Sequence, residues 1–215
     1  MQPSPLPSAD ERRQRVHRAV HELLAEQGFR ISMEAVAARA GCSKQTLYSQ
    51  FGSKQGLMQS VVRGRLDLTA SSLEQGEQDP RRALLNFALE HLSHLCEPSV
   101  VATCQLLSAE AHEFPQEAQA LYQGGCDSLQ KRLADWIEVA MQRGQLRHDH
   151  PHFAAELLLS MIVGLDFERQ RFAVPHRAQP SARQHWAEYA VDAFLRAFST
   201  AAIPAADPAP HLKNN

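Results

Sequence analysis

Six polar side chains crowd into one seven-residue run, Lys44-Gln45-Thr46-Leu47-Tyr48-Ser49-Gln50. They offer an ammonium, two amides and three hydroxyls, the donors and acceptors that contacts to phosphates and to base edges require. At helical periodicity Leu47 and Phe51 point inward, so Gln45, Thr46 and Ser49 face out, with Tyr48 and Gln50 on the flanks. Lys44 falls in the first turn, where the helix N-terminus adds its own attraction for phosphate. Lys54, at the start of the next helix, is placed for another phosphate. A second chemical candidate is His148-Asp149-His150-Pro151-His152, because alternating histidines can bind zinc or nickel. In an extended loop they point in different directions, and Pro151 opens a helix, so a solvated loop with no metal is expected. Cys42, Cys96, Cys104 and Cys126 form no C-x-x-C pair and read as reduced, buried thiols. Redox sensing through Cys96 or Cys104, or metal sensing through the histidines, is the alternative. No Ser/His/Asp order, paired carboxylates or glycine-rich phosphate loop is present, which argues against an enzyme, and no cofactor is expected.

The elements that must position the polar run are helices. Val16, Ala19, Val20, Leu23 and Leu24 recur at three and four, so a first helix runs from Asp10 to about Gln27 and stops at Gly28. Ser32 caps a second helix with Met33, Val36, Ala37 and Ala40 on one stripe. Gly41 breaks it, Ser43 caps the third, and Ser53 caps a fourth carrying Leu57, Val61 and Leu68 towards Gln75. Two short helices joined by a tight glycine-containing turn make a helix-turn-helix, whose second helix enters the major groove. Longer helices follow at about 81–96, 99–112, 115–144 (loosened at Gly124-Gly125), 153–172 and 181–199. The expectation is therefore an all-α chain of about nine helices, with no strands and no internal repeat. Residues 10–60 form a three-helix DNA-binding unit and 61–200 a larger bundle, between disordered tails at 1–9 and 201–215.

Charge separates along the same boundary. Residues 1–65 carry ten Lys and Arg against five Asp and Glu, whereas the remainder carries twelve against nineteen. A basic end suited to a polyanion is joined to an acidic body. No apolar run reaches membrane-spanning length, and Met1–Arg13 lacks the apolar core of a secretory signal, so the cytoplasm is the expected compartment.

The stretch from Arg12 to Val62 resembles the DNA-binding domain of the TetR/AcrR family of transcriptional regulators. The residues that carry the likeness are Gly28-Phe29, Val36-Ala37, Ala40-Gly41-Cys42-Ser43, Thr46-Leu47-Tyr48, Phe51 and Ser53-Lys54. The resemblance implies that Thr46, Tyr48 and Lys54 hold the phosphate backbone, with Ser32 touching a phosphate. Lys44, Gln45, Ser49 and Gln50 are then the base readers. Many relatives have glycine where Gln45 stands and an aromatic or histidine at 49–50, so the operator cannot be borrowed from them.

The acidic body resembles the C-terminal domain of the AefR-like subgroup, through Ala109-Glu110-Ala111 with Phe114-Pro115, the Gly144 to Arg147 turn and the helix start at Pro151. This implies a ligand-binding and dimerisation domain, and hence a homodimeric, ligand-responsive repressor released from a palindromic operator by a small-molecule effector. Polar or aromatic residues in apolar helices are the pocket candidates: His91, Trp136 and Asp166 first, then His94, Cys104, Glu110 and Met161. For the dimer interface the multi-faced helix 153–172 and the aromatic stripe of 181–199 offer Phe153, Leu157, Met161, Leu165, Trp186, Tyr189, Ala193, Phe194 and Phe198. Burial within one subunit is the lesser alternative for either stripe.

Overall fold

Polar N-caps and glycines punctuate the chain into helices much as the sequence predicts. A computed structural model describes residues 8–74, 79–174 and 177–200, without the side chains of 64–72, 74 and 171. Of the expected tails at 1–9 and 201–215, residues 1–7 and 201–215 lie outside that set, as does the side chain of Leu68, whereas Ser8 caps the first helix and Ala9 begins it. Helices α1 (Ala9–Gln27), α2 (Met33–Ala40), α3 (Lys44–Phe51) and α4 (Lys54–Glu74) come first. They are followed by α5 (Pro80–Leu95), α6 (Pro98–Glu110), α7 (Pro115–Tyr122) and α8 (Ser128–Gln142), then α9 (Pro151–Val163), α10 (Asp166–Arg171) and α11 (Pro180–Phe198). No strand occurs among the described residues.

Two expected helices are interrupted. The segment 115–144 carries a π-helical stretch at Gln123–Asp127. There Gly124 and Gly125 come so close to Gln59 and Val62 of α4 that added Cβ atoms would lie 3.0 Å from Gln59 Cα and 2.9 Å from Val62 Cγ1. A π-bulge of this kind re-aims the helix locally, and here it lets α4 sit against the backbone of its neighbour. The segment 153–172 breaks at Gly164, dividing α9 from α10.

The buried side chains form two cores. One gathers Val16, Val20, Leu23, Leu24, Phe29, Ile31, Val36, Leu47, Leu57, Met58 and Val61 from α1–α4, and it also takes Leu107 from α6. Phe114, Ala118 and Leu121 pack against its edge, so the small unit is closed by residues from beyond α4. The other core lies between α5, α8, α9 and α11, with Phe87, Leu133, Ile137, Leu158, Ile162 and Phe194 fully enclosed. Helix α4 joins them, contributing Leu57, Met58 and Val61 to the first and Leu73 to the second.

Candidate nucleic-acid interface

The geometry of the polar run follows from one anchored residue. Leu47 is completely buried, while Lys44, Gln45, Thr46, Tyr48, Ser49 and Gln50 are all exposed. Ser43 caps α3 by accepting a hydrogen bond from the Thr46 N–H at 3.0 Å, and its hydroxyl meets Thr46 Oγ1 at 2.8 Å. Ser32 caps α2 in the same way through the Ala35 N–H. Between them Gly41 holds φ +67° and turns the chain, with its N–H bonded to Ala38 O at 3.3 Å. A left-handed residue here favours glycine because it lacks a Cβ to clash. The result is α3 standing off the molecule with only its inner edge, Leu47 and the half-buried Phe51, committed to packing.

Beside α3 lies a cleft of about 540 Å³, lined by Ser43, Gln45, Thr46, Ser49 and Gln50 on one side and by Ala9 and Arg12 of α1 on the other. The structure thus brings four of the expected DNA-facing residues (Gln45, Thr46, Ser49, Gln50) together and adds Arg12, which sequence reasoning passed over. A signal was present. Position 12 continues the stripe of Val16, Ala19 and Leu23 by one turn, yet holds arginine where apolar spacing asks for a core residue.

The two lysines are placed differently from the expectation. Lys44 forms an ion pair with Glu34 of α2 and lies 5.8 Å from the Tyr48 ring centroid. The hydrogen bond from Lys44 holds the Glu34 carboxyl below its usual range and raises the Lys44 ammonium above its own. Both are exposed, so such a pair exchanges readily for another anion. Lys54 is turned inward. Its ammonium donates to the Phe29 carbonyl at 2.6 Å and pairs with Glu117 of α7 at 3.5 Å, so in this arrangement it is not free for a phosphate.

Phe29 is gripped on both its peptide groups. While Lys54 holds the carbonyl, the Phe29 N–H donates to Oε2 of the buried Glu110 at 2.8 Å. The other oxygen of Glu110 pairs with Arg30, which also reaches Glu113 at 2.7 Å and lies 5.5 Å from the Phe114 ring centroid. Gly28 makes room for the grip: it has φ +58°, and a Cβ there would overlap the Glu110 carboxylate. The Gly-Phe pair, the Ser-Lys opening of α4 and the Ala-Glu-Ala segment of α6 are thereby one assembly. A sequence reading that treats each alone cannot see it.

Comparison with known proteins identifies this arrangement. Residues 18–61 match the profile of bacterial regulatory proteins of the tetR family, and residues 82–200 match that of the AefR-like transcriptional repressor C-terminal domain. The chain belongs to the TetR family of transcriptional regulators. The flavonoid-responsive regulator FrrA is 30% identical with a TM-score of 0.64, over 90% of this chain and 100% of its own. A TetR-family structure from Mesorhizobium loti MAFF303099 shares the fold with a TM-score of 0.72 at 23% identity, over 91% of this chain and 100% of its own. The uncharacterized HTH-type transcriptional regulator YvkB of Bacillus subtilis (strain 168) is 24% identical over 164 residues, 72% of this chain and 81% of its own. The family and these relatives are regulators, not enzymes.

The residues expected to line an effector pocket have the following partners within the chain. His91 stacks on Phe87 with ring centroids 5.9 Å apart, and burial, with His94 nearby, pushes its pKa down to about 4. Trp136 spends its indole N–H on the Leu73 carbonyl at 3.1 Å, and Met161 packs against the larger core. Cys104 is half-buried, and burial raises its thiol, which disfavours a reactive thiolate; Cys126, expected to be buried, is exposed. Glu110 is a correction, because its carboxylate is consumed by Phe29 and Arg30 on the side of the small unit. Asp166 is buried at the start of α10 and pairs with Arg177 at 2.6 Å, and that guanidinium lies 3.7 Å from the Trp186 ring centroid.

The expected interface residues divide. Phe153, Leu157, Leu165 and Tyr189 are exposed, while Trp186, Met161 and Ala193 are half-buried. Phe194 and Phe198 are corrections. They stack on each other at 4.5 Å inside the subunit core, fully and almost fully enclosed, so they have no surface to offer a partner. In the loop 148–152, His150 caps α9 by accepting from the Phe153 N–H at 3.4 Å and stacks on the Phe153 ring. Among the described residues no three His, Cys, Asp or Glu side chains are grouped to hold a metal ion. No described helix is long and apolar enough to cross a membrane.

Proposed function

We propose that this TetR-family regulator is a cytoplasmic repressor that binds a palindromic operator as a homodimer and is released by a small organic effector. The observation that carries the reading is α3 itself, anchored by one buried leucine and exposing an unbroken set of hydrogen-bonding side chains. Thr46 and Tyr48 align the helix on phosphates, Gln45, Ser49 and Gln50 read base edges, and Lys44 joins them by leaving Glu34. Ser32 meets the backbone from the start of α2. Residues 10–60 serve as the reader and 61–200 as the effector-binding and dimerisation body.

One short helix reads few bases, whereas two related by a two-fold axis read half-sites about one helical turn apart or a small multiple of it. The exposed Phe153, Leu157, Leu165 and Tyr189 of α9, α11 and the turn after α9 supply an apolar surface for the second copy. The flavonoid response in the name of FrrA supports a small organic molecule as effector. Its leverage is its difference in affinity between the two dimer arrangements.

An operator recovered from a pool of randomised duplexes tests this. Tyr48→Phe and Thr46→Ala are each expected to weaken its binding, measured by fluorescence anisotropy, by about 1 kcal/mol, near the net worth of one hydrogen bond. Leu157→Glu is expected to convert dimer to monomer in sedimentation and to abolish operator binding with helicity retained. Wild-type affinity in the two α3 variants would refute the reader assignment, and a monomeric wild-type protein would refute the dimer.

A further inference from the structure

Arg12 is the one residue of the cleft beside α3 that carries a full positive charge, and it comes from a different helix. Its backbone is fixed. The first turn of α1 is closed by a reciprocal capping box in which Ser8 Oγ accepts from the Glu11 N–H at 3.1 Å and the Ser8 N–H donates to Glu11 Oε2 at 2.7 Å. The Arg12 N–H then makes the first helical bond, to Ser8 O at 3.0 Å. A turn held in this way frays little, so position 12 keeps a constant place relative to α3. Ala9, one turn earlier on the same face, is small and leaves the cleft open.

The phase of Arg12 explains why it looks outward although it sits on the buried face of α1. Val16, Ala19, Val20 and Leu23 pack into the small core, but the helix overshoots that core by a turn, and Arg12 emerges where the stripe passes the edge of α3. Its side chain is exposed and, among the described residues, makes no hydrogen bond or ion pair. Three other cations of the small unit are engaged: Lys44 with Glu34, Lys54 with Phe29 and Glu117, and Arg39 of α2 with Glu22 and Glu26. Arg12 needs no exchange of partners to meet an anion.

We infer that Arg12 is a DNA-contacting residue of this regulator, and that it binds a backbone phosphate at the rim of the groove α3 reads. The inference rests on α3 being the reading helix. A side chain from the helix that flanks the reader, set across a cleft from Gln45 and Ser49, reaches the wall of the groove and not its floor. Arginine suits the task because its planar fork matches two phosphate oxygens and stays charged.

A phosphate contact and a base contact leave different signatures. Arg12→Gln and Arg12→Lys are compared with the wild-type full-length protein on two probes, a mixed-sequence duplex and the operator selected by the wild-type protein, across a salt series. The expected result is that Arg12→Gln loses about 5- to 10-fold in affinity on both probes alike. The slope of log affinity against log salt becomes shallower by about 1, while Arg12→Lys retains the wild-type slope. Unchanged affinity and slope in Arg12→Gln overturn the inference. So does a loss confined to the selected operator, which would make Arg12 a base reader. Failure of the wild-type protein to bind either duplex would instead refute the reading of α3, so the two failures are distinct. Equal helicity and thermal midpoint in the variant guard against a folding defect.

Discussion

The grip of Glu110 on Phe29 and Arg30 can be cut in graded steps, because its two oxygens do different work. Oε2 accepts the Phe29 N–H at 2.8 Å in a buried setting, whereas Oε1 faces Arg30, whose side chain is 55% exposed. Replacing Glu110 with glutamine keeps an acceptor for the N–H and removes the charge. The Arg30 pair is half in water, so its loss should cost no more than about 1 kcal/mol. Alanine removes both. It leaves a buried N–H without a partner, which costs about 1–3 kcal/mol, and adds the ion-pair loss, for about 2–4 kcal/mol in total. The predicted order of stability is wild type, then Glu110→Gln, then Glu110→Ala.

Urea unfolding followed by far-ultraviolet circular dichroism measures this order. An Arg30→Ala, Glu110→Gln double-mutant cycle isolates the pair, with a coupling of about 0.5–1 kcal/mol expected. The contact spans 81 positions of sequence and joins α6 to the turn before α2, so the alanine variant should also loosen the placement of α3. Operator affinity should fall together with stability. An alanine variant as stable as wild type would refute the argument, as would a glutamine variant less stable than alanine. Additive single effects would remove the ion pair from it.

Lys54 and His91 carry two further expectations. Glu117→Gln removes the carboxylate that competes with DNA for the Lys54 ammonium. It should tighten binding to a mixed-sequence duplex about 2- to 5-fold at low salt, with the gain vanishing as salt screens it; weaker binding would show that the pair only holds α7 in place. His91 is held neutral in the fold with a pKa pushed down to about 4, against 6.5 when exposed. Below pH 6.5 the unfolded chain takes up a proton that the folded chain refuses. Stability is therefore complete above that pH and is lost as pH falls towards 4, by on the order of 1–3 kcal/mol. Urea midpoints at pH 7 and pH 4.5 should differ less in His91→Asn than in wild type, and an equal difference would remove His91 as the cause.

What the sequence made legible is what short-range physics determines. Leu47 and Phe51 set the face of α3, Ser32 and Ser43 cap their helices, and glycines end or bend the elements, because each depends on neighbours within a few residues. Periodicity identifies a buried face but not the partner it meets. The stripe of α11 therefore offered Phe194 and Phe198 as surface when both fill the core of their own subunit, whereas Tyr189 on another face of the helix is open to solvent. The same limit hid Arg12, whose in-phase position has meaning only once α3 is seen to lie beside it.

Glu110 and Lys54 mark the harder case, where the residue was noticed but its partner inside the chain was not. A carboxylate in an apolar helix suggests a ligand contact, and a lysine opening a helix after a helix-turn-helix suggests a phosphate contact. Both suggestions assume a partner outside the chain. Here the first partner of each is the same residue, Phe29, held through its N–H by Glu110 of α6 and through its carbonyl by Lys54 of α4. Backbone groups carry no sequence signature, so side chains that serve them look unemployed until the fold is known. The two bonds tie α6 and α4 to one residue, and the turn that holds it leads directly into α2 and α3.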